Sequence, residues 1–232
     1  MTGETGVFAR PSVTVDLVVL TLVNNQLHLL LIERGEAPFQ GRWALPGGFV
    51  NVGDAQTEQG ESVEEAAHRE LEEETGLAAN TVFLEQLYTF GKPYRDPRTR
   101  VITVAWFALI PPHRVTEVKS GTDASDAGWF PVGSLPLLAF DHGEIVETAL
   151  QRLRRQLGES PVGFELVPPA FTIAELRNAH EIILGQRLDA GNFRRRFMRW
   201  VEDGRVCEAP GRRKTASKPA RLYSRVERVG GN

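Results

Sequence analysis

Apolar and polar positions divide the first 160 residues into strands and helices. Two β-branched and leucine-rich runs, residues 13–22 and 27–33, flank Asn24 and Asn25, and this order predicts a β-hairpin. Later apolar runs have the length of single strands, and they cover residues 43–49, 100–109 and 128–132.

Two segments have the apolar spacing of helices that pack one face against a sheet. The first, residues 61–77, carries a capping box at Ser62 and Glu65 and a terminating Gly76. Its apolar stripe consists of Val63, Ala66, Ala67 and Leu71. The second segment, residues 141–158, has its stripe at Ile145, Ala149, Leu153 and Leu157. Mixed strands with two such helices predict an α/β fold in which helices cover the faces of a sheet.

Three glutamates of the first helix do not project onto its solvated face. Glu70, Glu73 and Glu74 fall within or at the edge of the apolar stripe, and carboxylates there are costly unless paired or bound to metal. A hard divalent cation with oxygen ligands would relieve their mutual repulsion, so we predict a metal site. Arg69, four residues before Glu73, is placed to orient it. A solvated acidic face is the alternative, and we expect it for the remaining glutamates, Glu61, Glu64, Glu65 and Glu72.

The sequence RELEEETGL at 69–77, with seven residues between Glu61 and Arg69, resembles the Nudix box, G-x5-E-x7-R-E-U-x-E-E-x-G-U. The resemblance implies a Nudix α/β/α sandwich that cleaves nucleoside diphosphates linked to another group. It also implies that Glu70, Glu73 and Glu74 bind Mg²⁺ or Mn²⁺, that one of them helps to activate the attacking water, and that the Gly48 carbonyl adds a ligand. The implied catalytic set is Arg69, Glu70, Glu73 and Glu74.

This sequence departs from the box at the first glycine of the box. Ala55 stands six residues before Glu61, where the glycine is expected, and Gly48, 13 residues before Glu61, is the better equivalent. Residues 54–60 then form an insertion, which costs little stability. An insertion at this place could still move the Gly48 carbonyl or cover the site, so metal binding does not by itself imply turnover.

The residues after the box suggest a substrate. Pro93 lies 16 residues beyond the box, and its setting resembles that of ADP-ribose pyrophosphatases in the Nudix group. Arg95 and Arg98 are predicted phosphate contacts, with simple solvation as the alternative. Phe90 or Tyr88 is predicted to stack on adenine, with a place in the core as the alternative.

The composition changes near residue 160. Prolines and glycines at 161–170 predict a linker between a domain at 1–160 and a domain at 171–232. Residues 171–232 hold 14 Lys/Arg against 7 Asp/Glu, whereas the remainder holds 13 against 23. An acidic body with a basic tail suggests two functions, with nucleic acid as a partner for the tail.

The basic tail has the layout of a winged helix-turn-helix. Residues 171–185 predict a helix capped by Thr172, with His180 on its apolar stripe as a packing residue, and residues 188–204 predict a second helix. Residues 205–227 predict two short strands around a basic loop, which we call the wing. The second helix would enter a major groove, where Asn and Arg read base edges, and the wing would touch phosphates. A basic domain that serves packing or dimerisation is the alternative.

The predicted DNA contacts are the polar side chains opposite the apolar stripe of the second helix and the cations of the wing. They are Asn192, Arg194, Arg195, Arg196, Arg199, Arg212, Arg213, Lys214, Lys218 and Arg221.

Residues 171–197 and the sequence KPARLY at 218–223 resemble the Nudix-related transcriptional regulators of NAD metabolism, the NrtR type. The resemblance implies a homodimer on a palindromic double-stranded operator, with ADP-ribose or a related nucleotide as effector. The alternative is a Nudix ADP-ribose pyrophosphatase whose tail serves dimerisation or RNA contact. The lone Cys207 and the lack of a membrane-spanning apolar run predict a cytoplasmic protein without a membrane partner.

Overall fold

The computed structural model describes residues 10–53, 59–117, 126–214 and 218–226. Within these ranges, seven strands form one mixed sheet: β1 (Ser12–Val23), β2 (Gln26–Glu33), β3 (Trp43–Ala44), β4 (Gly47–Phe49), β5 (Phe83–Phe90), β6 (Val101–Leu109) and β7 (Ala127–Pro131). The main path runs β3-β2-β1-β6-β5, with β4 added to β1 and β7 added to β2. Only β1 and β6 pair in parallel among these described strands, and the other pairs are antiparallel.

Two helices, α1 (Val63–Thr75) and α2 (His142–Glu159), cover opposite faces of the sheet. The central strand β1 is buried on both sides, and its residues alternate between the two cores. Leu17 packs in the core beneath α1, whereas Val18 and Leu20 pack in the core beneath α2. The predicted α/β/α sandwich is therefore confirmed. None of the helices in the described part of the chain is long and apolar enough to cross a membrane.

The local signals in the sequence correctly predicted the turns and caps of this domain. Asn24 and Asn25 have φ of 47° and 59° and close the β1–β2 hairpin, as a turn with two left-handed residues requires. The capping box of α1 and its left-handed Gly76 are both present. Strand β5 was not predicted, because a register shift between Gln86 and Tyr88 interrupts its alternation.

The second domain consists of α3 (Ile173–Leu184), α4 (Ala190–Glu202), β8 (Val206–Arg213) and β9 (Ala220–Arg225). Thr172 and Glu175 form a capping box at the start of α3, and Asp189 caps α4. Phe171 bridges to Tyr223 of β9, and both side chains are buried with Phe197 in one aromatic core. The predicted winged helix-turn-helix is confirmed.

The segment predicted as a linker is a packed joint between the two domains. Residues Val162–Leu166 form a 3₁₀ turn. Val162 and Leu166 are buried in the core beneath α2, together with Ile183 of α3, whereas Phe164 is buried in the aromatic core of the second domain. Because neighbouring residues of this turn are buried in two different cores, the two domains pack against each other here.

Polar contacts reinforce this joint. Arg154 Nε of α2 donates to the Ile183 carbonyl of α3 at 3.2 Å. The hairpin tip also reaches the second domain, where Asn178 Nδ2 donates to Asn25 Oδ1 at 3.0 Å. Helix α2 therefore packs on the sheet through its apolar stripe and contacts the second domain through Arg154.

Candidate functional site

A cleft of about 720 Å³ opens beside the second half of α1. Its walls come from the end of β2 and the loop after it, from the glycine turn at the start of β4, and from α1. The lining residues are Ile32, Glu33, Arg34, Gly35, Glu36, Gly47, Gly48, Arg69, Glu70, Glu73 and Glu74. The predicted metal and catalytic residues therefore meet in one cleft.

The glycine turn packs against strand β1 and against the Glu70 carboxylate of α1. A Cβ at Gly48 would lie 2.2 Å from Glu70 Oε1, and a Cβ at Gly47 would lie 2.2 Å from the Val15 carbonyl oxygen. Gly47 does not tolerate a side chain, because the close atoms belong to the β1 backbone and its φ is 147°. A side chain at Gly48 would require the Glu70 carboxylate to move. The two glycines thus bring β4 against β1 and against the Glu70 side chain.

Burial differs among the three glutamates. Glu70 and Glu74 are 6% and 8% exposed, as their place on the apolar side of α1 predicted. Glu73, which was predicted to lie within the stripe or at its edge, is not buried, because its side chain is 55% exposed. Glu73 stands at the far edge of the stripe, where the cleft opens to solvent. Burial raises the pKa of Glu70, and hydrogen bonds from Arg69 oppose that rise.

Arg69 holds the carboxylates together. Its Nη1 donates to Glu70 Oε1 at 2.8 Å and to Glu73 Oε2 at 3.0 Å. Its Nη2 donates to Glu61 Oε1 at 2.7 Å and to the Phe49 carbonyl at 3.1 Å, and its Nε donates to Glu61 Oε2 at 3.1 Å. The predicted orientation of Glu73 by Arg69 is present, within a wider network that reaches strand β4.

Glu61 is a site residue that the reasoning from helix faces assigned to solvent. Its side chain is only 16% exposed, and its Oε1 also accepts the Asn51 N–H at 2.9 Å. The hydrogen bonds from Arg69 lower the pKa of Glu61. The spacing of the box could have identified it, because Glu61 stands eight residues before Arg69 in both the box and this chain, and the two side chains form an ion pair.

The residues that flank the predicted insertion lie close together. The Asn51 carbonyl accepts the Glu61 N–H at 2.9 Å, and a Cβ at Gly60 would lie 1.9 Å from the same oxygen. Residues 54–58 of the predicted insertion lie outside the described residues.

The chemistry of the cleft fits a hard divalent cation. Carboxylate oxygens and a backbone carbonyl are the ligands that such ions take. Glu70 and Glu74 are buried in the cleft wall, and Glu70 lies beside Gly48. In the described ranges, no three Asp, Glu, His or Cys side chains already converge on one point. Arg69 pairs with two of the predicted ligands, Glu70 and Glu73, so a cation bound by these two carboxylates would compete with its guanidinium.

The predicted substrate residues occupy different environments. Arg95 is buried, and it donates to Asp141 Oδ1 at 2.7 Å and to Asp16 Oδ2 at 3.2 Å, which fastens the loop before β6 to the start of α2. Phe90 is buried in the core beneath α2, and Pro93 is exposed. Arg98 is partly exposed and donates to Asp96 Oδ2 at 2.7 Å. Their substrate roles stay predictions.

A buried histidine connects α2 with the glycine turn. His142 Nδ1 accepts the Leu45 N–H at 2.9 Å, two residues before Gly47, and Arg95 contacts the neighbouring Asp141. Burial lowers the pKa of His142, which keeps its ring neutral and its Nδ1 free to accept. The start of α2 is thus attached both to the cleft wall and to the loop before β6.

The exposed face of α4 carries four of the five predicted DNA contacts of that helix: Asn192, Arg194, Arg195 and Arg199. The prediction that Arg196 lies on this face is wrong. Its guanidinium lies 5.1 Å from the Phe193 ring centre and 5.2 Å from that of Trp200, and its Nη2 is 3.1 Å from His180 Nδ1. A guanidinium at the edge of an aromatic stripe gains by stacking on the rings.

His180 is a packing residue, as predicted. It is buried, and burial together with the nearby Arg196 lowers its pKa to about 3. The neutral ring can accept the hydrogen bond from Arg196, so the pair joins α3 to α4 inside the domain.

The predicted cations of the wing fall into two groups. Arg212, Lys214 and Lys218 are exposed, beside residues 215–217 that lie outside the described ranges. Arg213 pairs with Glu175 and donates to the Ala170 carbonyl at 2.9 Å, which fastens the wing to α3. Arg221 pairs with Glu208 across the hairpin at 3.3 Å.

Comparison with known proteins matches both domains. The model of the NUDIX domain family matches residues 13–152, and that of the NrtR DNA-binding winged helix domain matches residues 163–224. The chain is 37% identical over 218 residues to the "ADPR responsive transcriptional repressor NtrR" of Acinetobacter baylyi, and the match covers 93% of this chain and 82% of that protein.

Two solved structures share this fold. The crystal structure of Shewanella oneidensis NrtR complexed with a 27mer DNA is 33% identical with a TM-score of 0.77, and the match covers 92% of this chain and 93% of that one. The cocrystal structure of the NUDIX domain of Shewanella oneidensis NrtR with ADP ribose is 34% identical with a TM-score of 0.52, and it covers 65% of this chain and 94% of that one. With its acidic Nudix cleft, its winged helix and matches that span both, the chain belongs to the NrtR family of Nudix-domain proteins with a DNA-binding winged helix domain.

Proposed function

We propose that this chain is a transcriptional repressor of NAD metabolism that binds operator DNA through its second domain and responds to ADP-ribose or a related nucleotide in the Nudix cleft. One observation carries the proposal: an ADPR-responsive repressor resembles the chain over 93% of its length. The structure supports it, because the acidic cleft and the arginine-rich helix α4 belong to domains that are joined by a turn with residues buried in both cores.

The cleft supplies the ligands for the nucleotide's diphosphate and its metal. The Nudix hydrolase family uses divalent metal ions, and here Glu70, Glu73, Glu74 and the Gly48 carbonyl would hold Mg²⁺ or Mn²⁺. Such a metal neutralises a diphosphate and, where hydrolysis occurs, lowers the pKa of a bound water. Arg69 keeps Glu61 and the β4 backbone in place through hydrogen bonds that do not involve the three metal-binding glutamates.

Helix α2 offers a physical connection from the cleft to the DNA-binding domain. Its amino end is bonded to Leu45, beside the glycine turn, and its other end contacts Ile183 of α3. A ligand that shifts the glycine turn would therefore act on the helix that holds α3. Such an effector changes DNA affinity only if the DNA-binding and non-binding states bind it with different affinity.

The second domain presents α4 to a major groove. Asn192 and Arg195 lie on its exposed first turns, where a recognition helix contacts base edges. Arg199, Arg212 and Lys214 would contact phosphates. The two half-sites of a palindromic operator are bound by a protein with twofold symmetry, so we propose a homodimer.

The alternative function is an ADP-ribose pyrophosphatase whose second domain serves dimerisation or RNA contact. The similarity to DNA-binding relatives extends through residues 163–224, which favours the repressor.

The effector response is the first prediction. We expect Mg²⁺ and ADP-ribose to change operator affinity at least about fivefold, the lower range for coupling between two sites. Fluorescence anisotropy with an operator selected from random duplex DNA measures it. An operator affinity that is the same with and without Mg²⁺ and ADP-ribose would show that ADP-ribose is not the effector. Rapid release of AMP and ribose 5-phosphate without any DNA binding would favour the pyrophosphatase.

The exposed face of α4 gives the second prediction. Arg195→Ala should weaken operator binding by about 1–3 kcal/mol and relax sequence preference, because it removes a base-reading side chain. Arg196→Ala should instead lower thermal stability, since its guanidinium stacks on buried rings. Arg155→Ala, an exposed arginine on α2, is the charge-matched control and should bind DNA as the wild type does. Equal effects of Arg195→Ala and Arg155→Ala on DNA affinity would rule out base reading by Arg195.

The metal site gives the third prediction. Mg²⁺ or Mn²⁺ at a hundred times its Kd should stabilise the wild type by about 2.7 kcal/mol, and Glu70→Gln should remove most of this gain. Glu64→Gln changes an exposed glutamate of the same helix and should retain the stabilisation by metal. Thermal unfolding with and without metal is the measurement. Full stabilisation of Glu70→Gln would show that the ion binds elsewhere.

A further inference from the structure

Arginines and phenylalanines from four segments meet beside the Nudix cleft. Their members are Arg34 and Phe39 after β2, Phe49 of β4, Arg98 before β6 and Phe140 before α2, and we call them the cation–aromatic cluster. Arg34 also lines the cleft. The cluster is therefore continuous with the cleft that contains Glu70.

The contacts within the cluster centre on Phe140. The Arg34 guanidinium lies 4.7 Å from its ring centre, and that of Arg98 lies 6.0 Å away. Phe39 packs edge-on against Phe140 with the ring centres 4.9 Å apart. Arg98 is also 6.0 Å from the ring of Phe49, so it stands between two phenyl groups.

Two members adopt an unusual backbone conformation. Phe39 and Phe140 have φ of 65° and 51°, the left-handed region that bulky side chains rarely enter. Residues held there cluster at ligand clamps and active sites, where the surrounding structure maintains them. The packing in this cluster is thus maintained against a local conformational preference.

The outer side of the cluster is open. The Phe49 ring is 48% exposed although it is large and apolar. The two guanidinium groups of Arg34 and Arg98 lie near one another, and burial with this like charge lowers the pKa of Arg34. Asp96 offsets part of the charge by its ion pair with Arg98. An exposed ring beside two cations is a surface that suits a base attached to an anion.

Phe49 is also fixed relative to the glutamates. It follows Gly48, which touches Glu70, and its carbonyl accepts the Arg69 Nη2 hydrogen bond at 3.1 Å. The Phe49 ring itself reaches the cleft wall through the cluster, because Arg98 contacts both Phe49 and Phe140, and Phe140 contacts Arg34.

We infer that the exposed face of Phe49 is the platform on which the purine base of the effector stacks, with Arg98 at its edge. The inference rests on the proposed function and adds the group that distinguishes a purine nucleotide from a bare diphosphate. It differs from the prediction of Phe90 as the stacking residue, because Phe90 is buried beneath α2.

Calorimetry with two probes in Mg²⁺ tests the platform. The probes are α,β-methylene ADP-ribose, which cannot be cleaved at its diphosphate, and inorganic pyrophosphate, which has no base. Phe49→Ala should weaken the analogue about tenfold or more, the range for losing one base–aromatic stack, and should leave pyrophosphate within twofold. Phe49→Trp should retain the analogue. Leu137→Ala removes an exposed apolar side chain outside the cluster and should change neither affinity.

The outcomes separate the inference from the function. If the wild type does not bind the analogue, the proposed function fails. If the wild type binds it and Phe49→Ala binds it equally well, the inference is overturned and the function stands. The inference is also overturned if Phe49→Ala loses pyrophosphate to the same degree, because Phe49 then only shapes the glycine turn. If Tyr88→Ala loses affinity for the analogue tenfold and Phe49→Ala does not, the inference is overturned and the base stacks on Tyr88 of β5 instead.

Discussion

The burial of two carboxylates beside a glycine turn is the constraint on which this structure depends. Glu70 and Glu74 lie inside the fold, where an uncompensated charge would be strongly destabilising. Arg69 offsets the charge of Glu70 with one hydrogen bond and that of the exposed Glu73 with another. Its other three hydrogen bonds go to Glu61 and to the Phe49 carbonyl, which ties the loop before α1 to strand β4. The same guanidinium therefore contacts two of the groups expected to bind a metal and the backbone that follows the glycine turn.

Local patterns in the sequence were sufficient for most of the fold and for part of the site. Periodicity and capping residues predicted α1, α2, α3 and α4, because a helix end and its buried stripe are properties of neighbouring residues. They did not predict partners distant in sequence. Arg95 is held by Asp141 and Asp16, 46 and 79 residues away. Arg196 lies at the edge of the apolar stripe of α4. Its guanidinium turns inward because it stacks on the rings of Phe193 and Trp200, which helix periodicity alone does not predict.

The joint between the domains gives the two sites a common framework. Residues 162–166 contribute side chains to both cores, and α2 is bonded near the cleft at one end and to α3 at the other. Packed interiors respond to a shift at one edge by moving as units, since they have little free volume. We propose that a change at the glycine turn reaches α3 by this route. The segment that composition marked as a linker is central to this proposal.

The central claim is that nucleotide and operator compete or cooperate through this one framework, and reciprocity tests it most directly. The measurement is the affinity of α,β-methylene ADP-ribose for the free protein and for the protein saturated with operator. Linkage requires the ratio of these two affinities to equal the factor by which the same ligand changes operator affinity. We predict equal factors that differ from one. Identical ligand affinity in the free and the operator-bound protein would contradict the account.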